Sequence, residues 1–541
     1  MRHVSMMGLE MEYSFRYFPD PKLAKKLLSG KEPPTPDVIE SIRCKLIDAL
    51  MREFRKERNI FPVGPNFGFM ANGGRAYLDR IIFEMATAEC SNPRDVVRRH
   101  FSNEALLLAQ IGAMNERIAR GGFYDAPGGR IEVSKKTSDF EGKDSYGCHE
   151  NYQVRRFEPR SEELFEETRR RLLRPLEPFL FSRQPFIGAG NLTNKAEFVV
   201  SPRGMKTYSA ISTGAARLGG LTPLAFIRRD GDVNTIRSSS SDICEAEYAR
   251  LQVCCSDGNV SSRQTEFKLG TTAIVLRMIE EGYLASPPVH LADRGEAMQA
   301  VARDTTLTAR LTTKNGAAIT ALELNRLYFL KARRFFEMKA KACTHPMHGW
   351  EAGTMALWEE WLRKLSRDPS ALDTVLDWRI LLRFVEFELE RKFRLTLREL
   401  KEKLADPHDE ESRNVVLPIL RELQWKVLNY FFIYDCRFRE TLKGLGLMDK
   451  ELLSPQALVG APECFAPPAD TRANWRSRLM RFFGERGLDD SVKRIGWGLI
   501  QFMNRSNELT QFTNDDPRNA SILLEQNAPL SDELLLSIVN Q

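Results

Sequence analysis

The stretch SMMGLEMEYSF, residues 5–15, alternates from Met7 onward between apolar side chains and small or polar ones. Four apolar residues occupy every second position: Met7, Leu9, Met11 and Tyr13. Glu10 and Glu12 fall between them, so the stretch predicts a β-strand with two carboxylates on one face. Carboxylate oxygens are ligands that Mg²⁺ prefers, which makes this face a candidate metal site. Taken alone, an exposed strand face that carries two glutamates explains the same pattern.

Length and composition exclude several classes of protein. The chain has 541 residues, a formal net charge of +6 and 42% hydrophobic residues, as expected for a globular protein. Glu10 and Glu12 interrupt the apolar run that a signal peptide requires, and runs such as Ala105–Ala109 are too short to cross a membrane. Nine scattered cysteines without a CxxC pair indicate free thiols in a reducing cytoplasm. We therefore expect a cytoplasmic location, no membrane segment and no nucleic-acid partner.

The coarse pattern along the chain indicates an α+β fold. We predict a helix over 35–58, a strand around Arg75–Ile82 and a helix over 103–120; residues 190–275 mix β-prone runs with glycine. Residues 318–445 are strongly helical, and Ser238–Ser241 is predicted to be a mobile loop. Strands first and helices later favour α+β over alternating βαβ units. We place a domain boundary near 436, between a large domain over 1–435 and a small one over 436–541.

A second group of polar residues lies in NGGRAYLDRIIFEMATAEC, residues 72–90. Tyr77 and Asp79 share one face of the predicted strand, and Glu84 follows five residues later. Asp79 stands between Leu78 and two isoleucines, an apolar setting in which a carboxylate becomes a better general base. A surface strand with acidic ends is the alternative interpretation.

A third group is SYGCHENY, residues 145–152, in which His149 is followed by a carboxylate and an amide. A single histidine is more often structural than a ligand. The common nucleotide-binding loops and hydrolase motifs, among them GxxxxGK[ST] and GxSxG, do not occur in the chain.

In their order along the chain, these motifs resemble the signatures of the Pup ligase and depupylase family. These are carboxylate–amine ligase relatives of glutamine synthetase that act on the prokaryotic ubiquitin-like protein, Pup. The resemblance continues through four further segments: Pro178–Gly190, Tyr248–Asn259, Lys268–Gly282 and Pro467–Arg476. It implies a glutamine-synthetase-like curved antiparallel sheet packed with helices, plus a small C-terminal domain that closes over the nucleotide or tag site.

The resemblance also implies roles for individual residues and the cofactors ATP and Mg²⁺. Asp79 matches the catalytic aspartate. Metal ligands would be Glu10, Glu12, Tyr77 and Glu84. His149, Arg229 and Arg250 would contact the nucleotide. Arg472 and Arg476, in the small C-terminal domain, would bind the nucleotide or close over the Pup-binding groove.

The implied activity is ATP-dependent ligation. The C-terminal glutamate γ-carboxylate of a Pup-like tag would become a γ-glutamyl phosphate, and a target-protein lysine would displace phosphate to leave an isopeptide bond. Two alternatives stay open: a depupylase or deamidase that hydrolyses the tag–lysine bond, and a divergent tag-binding homologue without catalysis. The short, non-acidic segment Phe61–Gly74 favours the ligase, whereas Ile227–Glu247 lacks a histidine that the family has there.

Overall fold

The structure is a computed structural model of the chain. It describes residues 6–18, 36–56, 60–64, 67–79, 82–121, 129–140, 145–155, 169–212, 224–228, 248–342, 347–405, 410–469, 471–485, 492–495, 499–503 and 509–513. The predicted loop Ser238–Ser241 lies outside these residues.

The architecture is a large sheet surrounded by helices, which confirms the α+β prediction. The strands are β1 (Met7–Phe18), β2 (Ile60–Gly64), β3 (Phe67–Met70), β4 (Arg75–Asp79), β5 (Ile82–Ala86), β6 (Arg130–Ser134), β7 (Cys148–Arg155), β8 (Asn191–Leu192), β9 (Phe198–Val199), β10 (Thr207–Ser212), β11 (Leu224–Arg228), β12 (Tyr248–Ser256), β13 (Leu311–Thr312), β14 (Ala318–Ile319), β15 (Val492–Ile495), β16 (Leu499–Met503) and β17 (Leu509–Thr513).

The large sheet has ten strands, nine of them in the order β10-β11-β12-β7-β1-β5-β4-β3-β2, and β6 also pairs with β1. Its pairings are antiparallel except for the parallel pair β10–β11. The remaining strands form a three-stranded sheet, β15-β16-β17, and the short pairs β8–β9 and β13–β14.

The helices are α1 (Pro36–Lys56), α2 (Pro93–Ala119), α3 (Arg174–Ser182), α4 (Gln184–Ile187), α5 (Ser262–Glu280), α6 (Arg294–Arg303), α7 (Ala321–Lys341), α8 (Gly349–Arg367), α9 (Asp377–Glu388), α10 (Leu397–Ala405), α11 (Glu410–Tyr430), α12 (Arg437–Gly444) and α13 (Arg472–Glu485). Wider helical turns span Arg169–Leu173 and Leu389–Phe393, and tighter ones span Gly204–Lys206, Pro369–Leu372, Pro455–Leu458 and Pro462–Cys464.

One face of the sheet, the back face, is covered by α1 and α2. The apolar residues of β1 point to this side: Met7, Leu9, Met11 and Tyr13 are all at most 2% exposed. On α1, Phe54 stacks on Phe83 of β5 with ring centroids 6.1 Å apart. Burying an aromatic or aliphatic side chain of this size stabilises the fold by about 1.5–3 kcal/mol. This packing fixes which side of β1 presents its glutamates.

Helix α2 begins ten residues before the predicted start at 103. Asn92 caps it, because its side-chain oxygen accepts a hydrogen bond from the backbone N–H of Asp95 at 2.9 Å, and Pro93 occupies the first helical position. Its predicted end before Gly121 is confirmed, since Gly121 has a φ of +74°.

Helix α5 begins within the region 190–275, where β-prone runs and glycines were predicted, and extends five residues past it. Ser261 caps it through Gln264, and most of its residues are buried on all sides. A segment that is buried all round shows no helical period, so hydrophobicity alone does not separate it from a buried strand.

Among the described residues, no helix is long and apolar enough to cross a membrane. The seven described cysteines are all free thiols, as the sequence predicted. The boundary near 436 stays a prediction.

Candidate active site

The sheet register brings the predicted acidic residues together on the front face, opposite α1 and α2. Glu12 of β1 pairs with Glu84 of β5, and Glu84 pairs in turn with Tyr77 of β4. On the other side of β1, Glu10 pairs with His149 of β7. Residues directly opposite each other across strands point to the same face. Four strands therefore contribute to one patch, which we call the carboxylate face: Glu10, Glu12, Tyr77, Glu84 and His149.

The Tyr77 hydroxyl lies between two carboxylates. It donates to Oε1 of Glu10, and it lies 2.6 Å from Oε2 of Glu84. A phenol has one proton, so it satisfies one of these acceptors at a time. Two carboxylates around one hydroxyl concentrate negative charge, which favours a bound cation.

His149 is held beside both glutamates of β1. Its Nδ1 lies 3.3 Å from Oε2 of Glu10, and its Nε2 lies 3.8 Å from Oε1 of Glu12. Gly147 makes this position possible, because a Cβ there would overlap the imidazole ring. The backbone N–H of Gly147 also donates to Oε2 of Glu12.

Gln252 belongs to the same patch and was missed from the sequence. Its side-chain amide donates to Oε2 of Glu10 at 2.7 Å, from β12 across β7. Gln252 lies two residues after Arg250 on the same strand, and this spacing could have predicted that both side chains share one face of the sheet.

Asp79 is the last residue of β4 and pairs with Ile82. It shares the face of Tyr77, as predicted. Its side chain is exposed, however, so the predicted apolar setting is wrong. Leu78 on the opposite face packs against the core instead, because side chains alternate along a strand.

The structure describes the four predicted arginines to different extents. Arg229 lies outside the described residues, and Arg250 is described through its backbone, which pairs with Gln153. Arg472 is the first residue of α13, and its side chain is not described.

Arg476 takes a different place from the nucleotide contact that the resemblance implied. Its side chain is fully buried and forms an ion pair with Glu89, in which Nη2 lies 2.8 Å from Oε2. Nη2 also donates to the backbone oxygen of Gly73 at 2.7 Å. A guanidinium enclosed in this way is a structural contact between α13 and the β3–β4 turn.

The back of β7 holds a fully buried ion pair that supports His149 from behind. Arg183 binds Glu150 with both terminal nitrogens, at 2.9 and 2.6 Å. Burial raises the pKa of Glu150, but the charge of Arg183 and its hydrogen bonds outweigh this and lower the pKa overall. Because Glu150 directly follows His149 in β7, this ion pair holds the strand in place next to the imidazole.

The carboxylate face suits Mg²⁺ that arrives together with phosphate. Within the described part of the chain, no three His, Cys, Asp or Glu side chains converge closely enough to hold a metal ion by themselves. Mg²⁺ commonly takes one or two carboxylates and completes its shell with phosphate oxygens and water. Glu10 and Glu84, with Glu12 beside them, supply oxygens of that kind.

A largely antiparallel sheet with helices behind it and a carboxylate cluster in front is the arrangement that the resemblance to carboxylate–amine ligases implied. The Pup-ligase protein family model matches residues 6–407. The chain belongs to this family.

The chain is similar to relatives with two different activities in their names. A Pup–protein ligase of Jonesia denitrificans is 30% identical over 392 residues, which cover 71% of this chain and 74% of the relative. A depupylase of Acidothermus cellulolyticus is 30% identical over 428 residues, which cover 77% of this chain and 72% of the relative.

Two solved structures share the fold. The ligase PafA in complex with Pup has a TM-score of 0.68 and 22% identity, covering 99% of this chain and 94% of that chain. PafA in complex with ADP has a TM-score of 0.65 and 23% identity, covering 91% and 93%. These matches confirm the predicted fold class.

Proposed function

We propose that this chain is an ATP-dependent ligase that joins the C-terminal glutamate of a Pup-like tag to lysines of target proteins. The observation that carries the proposal is the Tyr77 hydroxyl held between Glu10 and Glu84, with Asp79 at the end of the same strand. We infer from it a site for cations and phosphate next to an accessible base.

The carboxylates have a role in the first step. Transfer of a phosphoryl group to a carboxylate brings several negative charges together, and catalysis depends on positioning and neutralising them. Mg²⁺, when bound, supplies positive charge against the phosphates of ATP. Glu10, Glu12 and Glu84 would hold it, and Tyr77 would orient Glu10 and Glu84. His149 and Gln252 fix Oε2 of Glu10, the oxygen other than the one to which Tyr77 donates.

Asp79 has its role in the second step. A lysine amine attacks the carbonyl carbon of the γ-glutamyl phosphate and forms the C–N bond. The acyl C–O bond breaks, and phosphate leaves with the bridging oxygen and the electron pair. The amine loses a proton in this step, and an exposed carboxylate on the carboxylate face is placed to accept it. An exposed base suits this step, because the lysine belongs to another protein.

Arg229, Arg250 and Arg472 complete the proposal as contacts to the nucleotide phosphates. Guanidinium groups bind phosphoryl oxygens through two parallel hydrogen bonds. One PafA structure contains ADP and the other contains Pup. They support a nucleotide and a Pup-like tag as ligands of this chain. We further propose a cytoplasmic location, which the free thiols support, and a small C-terminal domain over 436–541.

Hydrolysis of the tag–lysine bond is the second candidate, since the Acidothermus relative is a depupylase at the same identity as the Jonesia ligase. In that reaction Asp79 would activate the attack on the isopeptide carbonyl. The short segment Phe61–Gly74 favours the ligase.

The test is incubation with ATP, Mg²⁺ and a Pup-like protein that ends in glutamate, followed by phosphate assay and mass spectrometry of lysine conjugates. We expect conjugates, and a loss of 10²-fold or more in Asp79→Asn, a size typical of removing a general base. Asp48→Asn, at an exposed site on α1, is the matched control and should keep full activity.

Cleavage of a preformed Pup–lysine conjugate without ligation would instead establish the depupylase. Binding of the tag with neither reaction, and without Mg²⁺-dependent ATP binding, would establish a non-catalytic homologue.

A further inference from the structure

Arg476 joins two regions that lie far apart in the sequence. It is 387 residues from Glu89, and its two terminal nitrogens reach the carboxylate at 3.2 and 2.8 Å. A two-pronged contact of this kind fixes orientation as well as distance. The neighbouring segment is attached too, since Arg98 of α2 donates to Glu463 at 2.6 Å and Arg99 donates to the backbone oxygen of Glu463 at 3.1 Å.

The β3–β4 turn, residues 71–74, is shaped to fit under α13. Gly73 has a φ of +84°, a conformation that favours glycine. A Cβ at Gly73 would also lie 2.9 Å from Cβ of Ala473 and 3.1 Å from Cβ of Pro467. The turn and the C-terminal segment are therefore in close contact, and the turn leads directly into β4.

A row of stacked side chains runs from α13 to the carboxylate face. The guanidinium of Arg476 lies 4.5 Å from the ring centre of Phe69. On the same ring, Arg75 lies at 5.7 Å, and it also lies 4.9 Å from the ring centre of Tyr77. Phe69 and Arg75 are paired across β3 and β4, so they share the face of Tyr77. The row ends at the hydroxyl between Glu10 and Glu84.

We propose that Arg476 is a positioning residue: its contact with Glu89 and Gly73 sets the placement of β4, and thereby of the Tyr77 hydroxyl and Asp79. The activity readout of this proposal depends on the proposed function. Its contacts do not require a bound nucleotide, so a loss of Arg476 changes the geometry of catalysis rather than the affinity for ATP.

The test compares Arg476→Lys and Glu89→Gln with the wild type and with Arg481→Lys, a matched control at an exposed position of the same helix. Lysine keeps the charge of Arg476 but loses the planar fork and the stacking surface. We expect kcat for tag-dependent phosphate release to fall on the order of 10- to 100-fold in both variants, with KM for ATP within about twofold, because small misplacements of reacting groups have effects of this size. The control should match the wild type.

Hydrogen exchange of the free protein provides the second measurement. In both variants we expect faster exchange in peptides that cover residues 67–79, with unchanged exchange in α7. This measurement also decides the proposal if the chain has no ligase activity. Should Arg476→Lys fail to fold, Glu89→Gln and Phe69→Leu serve the same comparison.

A higher KM for ATP with unchanged kcat would overturn the proposal and return Arg476 to the nucleotide site. Faster exchange that is confined to α13 and leaves residues 67–79 protected would overturn it as well.

Discussion

Glutamates lie on both sides of the large sheet, and the two sides hold them differently. On the front, the side chains of Glu10 and Glu12 are 13% and 11% exposed and contact a phenol, an amide, an imidazole and a backbone N–H. On the back, Glu150 of β7 and Glu104 of the covering helix α2 are 0% exposed, and each is bound by a cation, Arg183 and Lys135 respectively. The side of the strand, rather than the residue type, decides whether a carboxylate serves the fold or faces a ligand.

The electrostatics of the back face follow from this enclosure. Burial raises the pKa of Glu104, and the charge of Lys135 offsets part of this effect. For Glu150 the two-pronged contact of Arg183 outweighs burial, and the pKa falls. Each buried carboxylate is held by the cation that pairs with it. Neither carboxylate is accessible to a substrate.

The largest effect should follow from breaking a back-face pair. Arg183→Met leaves Glu150 as an uncompensated buried charge, so we expect the free energy of unfolding to fall by about 3–5 kcal/mol. Denaturant unfolding measures it. In the double variant Arg183→Met with Glu150→Gln, most of the loss should be recovered, because no buried charge remains. A single variant as stable as the wild type would contradict the structural role of the pair.

Removing the charge of a front-face carboxylate should lower activity much more than it lowers the free energy of unfolding. Glu84→Gln keeps an acceptor for Tyr77 but removes a negative charge, so we expect about a 100-fold loss of ligase activity, or roughly 2.7 kcal/mol in the barrier. The free energy of unfolding should change by less than about 1 kcal/mol. Phosphate release and denaturant unfolding on the same preparation test both statements. Equal losses in activity and in stability would erase the distinction between the faces.

A smaller effect concerns Lys136, a buried cation whose described contacts are the backbone oxygen of Ser138 and the ring of Phe140. Burial lowers its pKa to about 7, with Arg16 adding to the effect. Between this pKa and its usual value near 10.5, the unfolded chain binds a proton that the folded chain does not, so stability rises with pH. From pH 7 to 9 we expect a gain of about 2 kcal/mol.

Lys136→Met should lose this pH dependence, which unfolding curves at pH 7, 8 and 9 would measure. A wild type and variant with parallel pH profiles would show that Lys136 stays charged in the folded protein. Lys135, next in the chain, provides the contrast of a buried lysine with a carboxylate partner.

Much of the carboxylate face was predictable from sequence. A period of two along β1 and β4 placed Glu10 with Glu12 and Tyr77 with Asp79, since alternation is a local property of strands. That these pairs lie together on one face depends on the strand order β7-β1-β5-β4, which periodicity does not give. The family resemblance implied only that these residues share one site.

The sequence analysis differs from the structure at residues whose surroundings depend on long-range packing. Asp79 was expected among apolar neighbours, but Leu78 points to the core while Asp79 points outward. Arg476 was expected to close over the nucleotide or the Pup-binding groove, whereas the described side chain is buried against Glu89, a partner determined by how α13 packs on the β3–β4 turn. Gln252 was missed because its contact with Glu10 crosses an intervening strand.

The separation between Glu89 and Arg476 also has a consequence for synthesis. At about 5–20 residues per second, the 387 residues between them take roughly 20–80 s to translate. During that time β1 to β5 have already been synthesised, whereas α13, the helix that covers Phe69 and the β3–β4 turn, has not. The strands of the carboxylate face are thus made early in synthesis. Their contacts with Arg476 form only after the C-terminal segment has been synthesised.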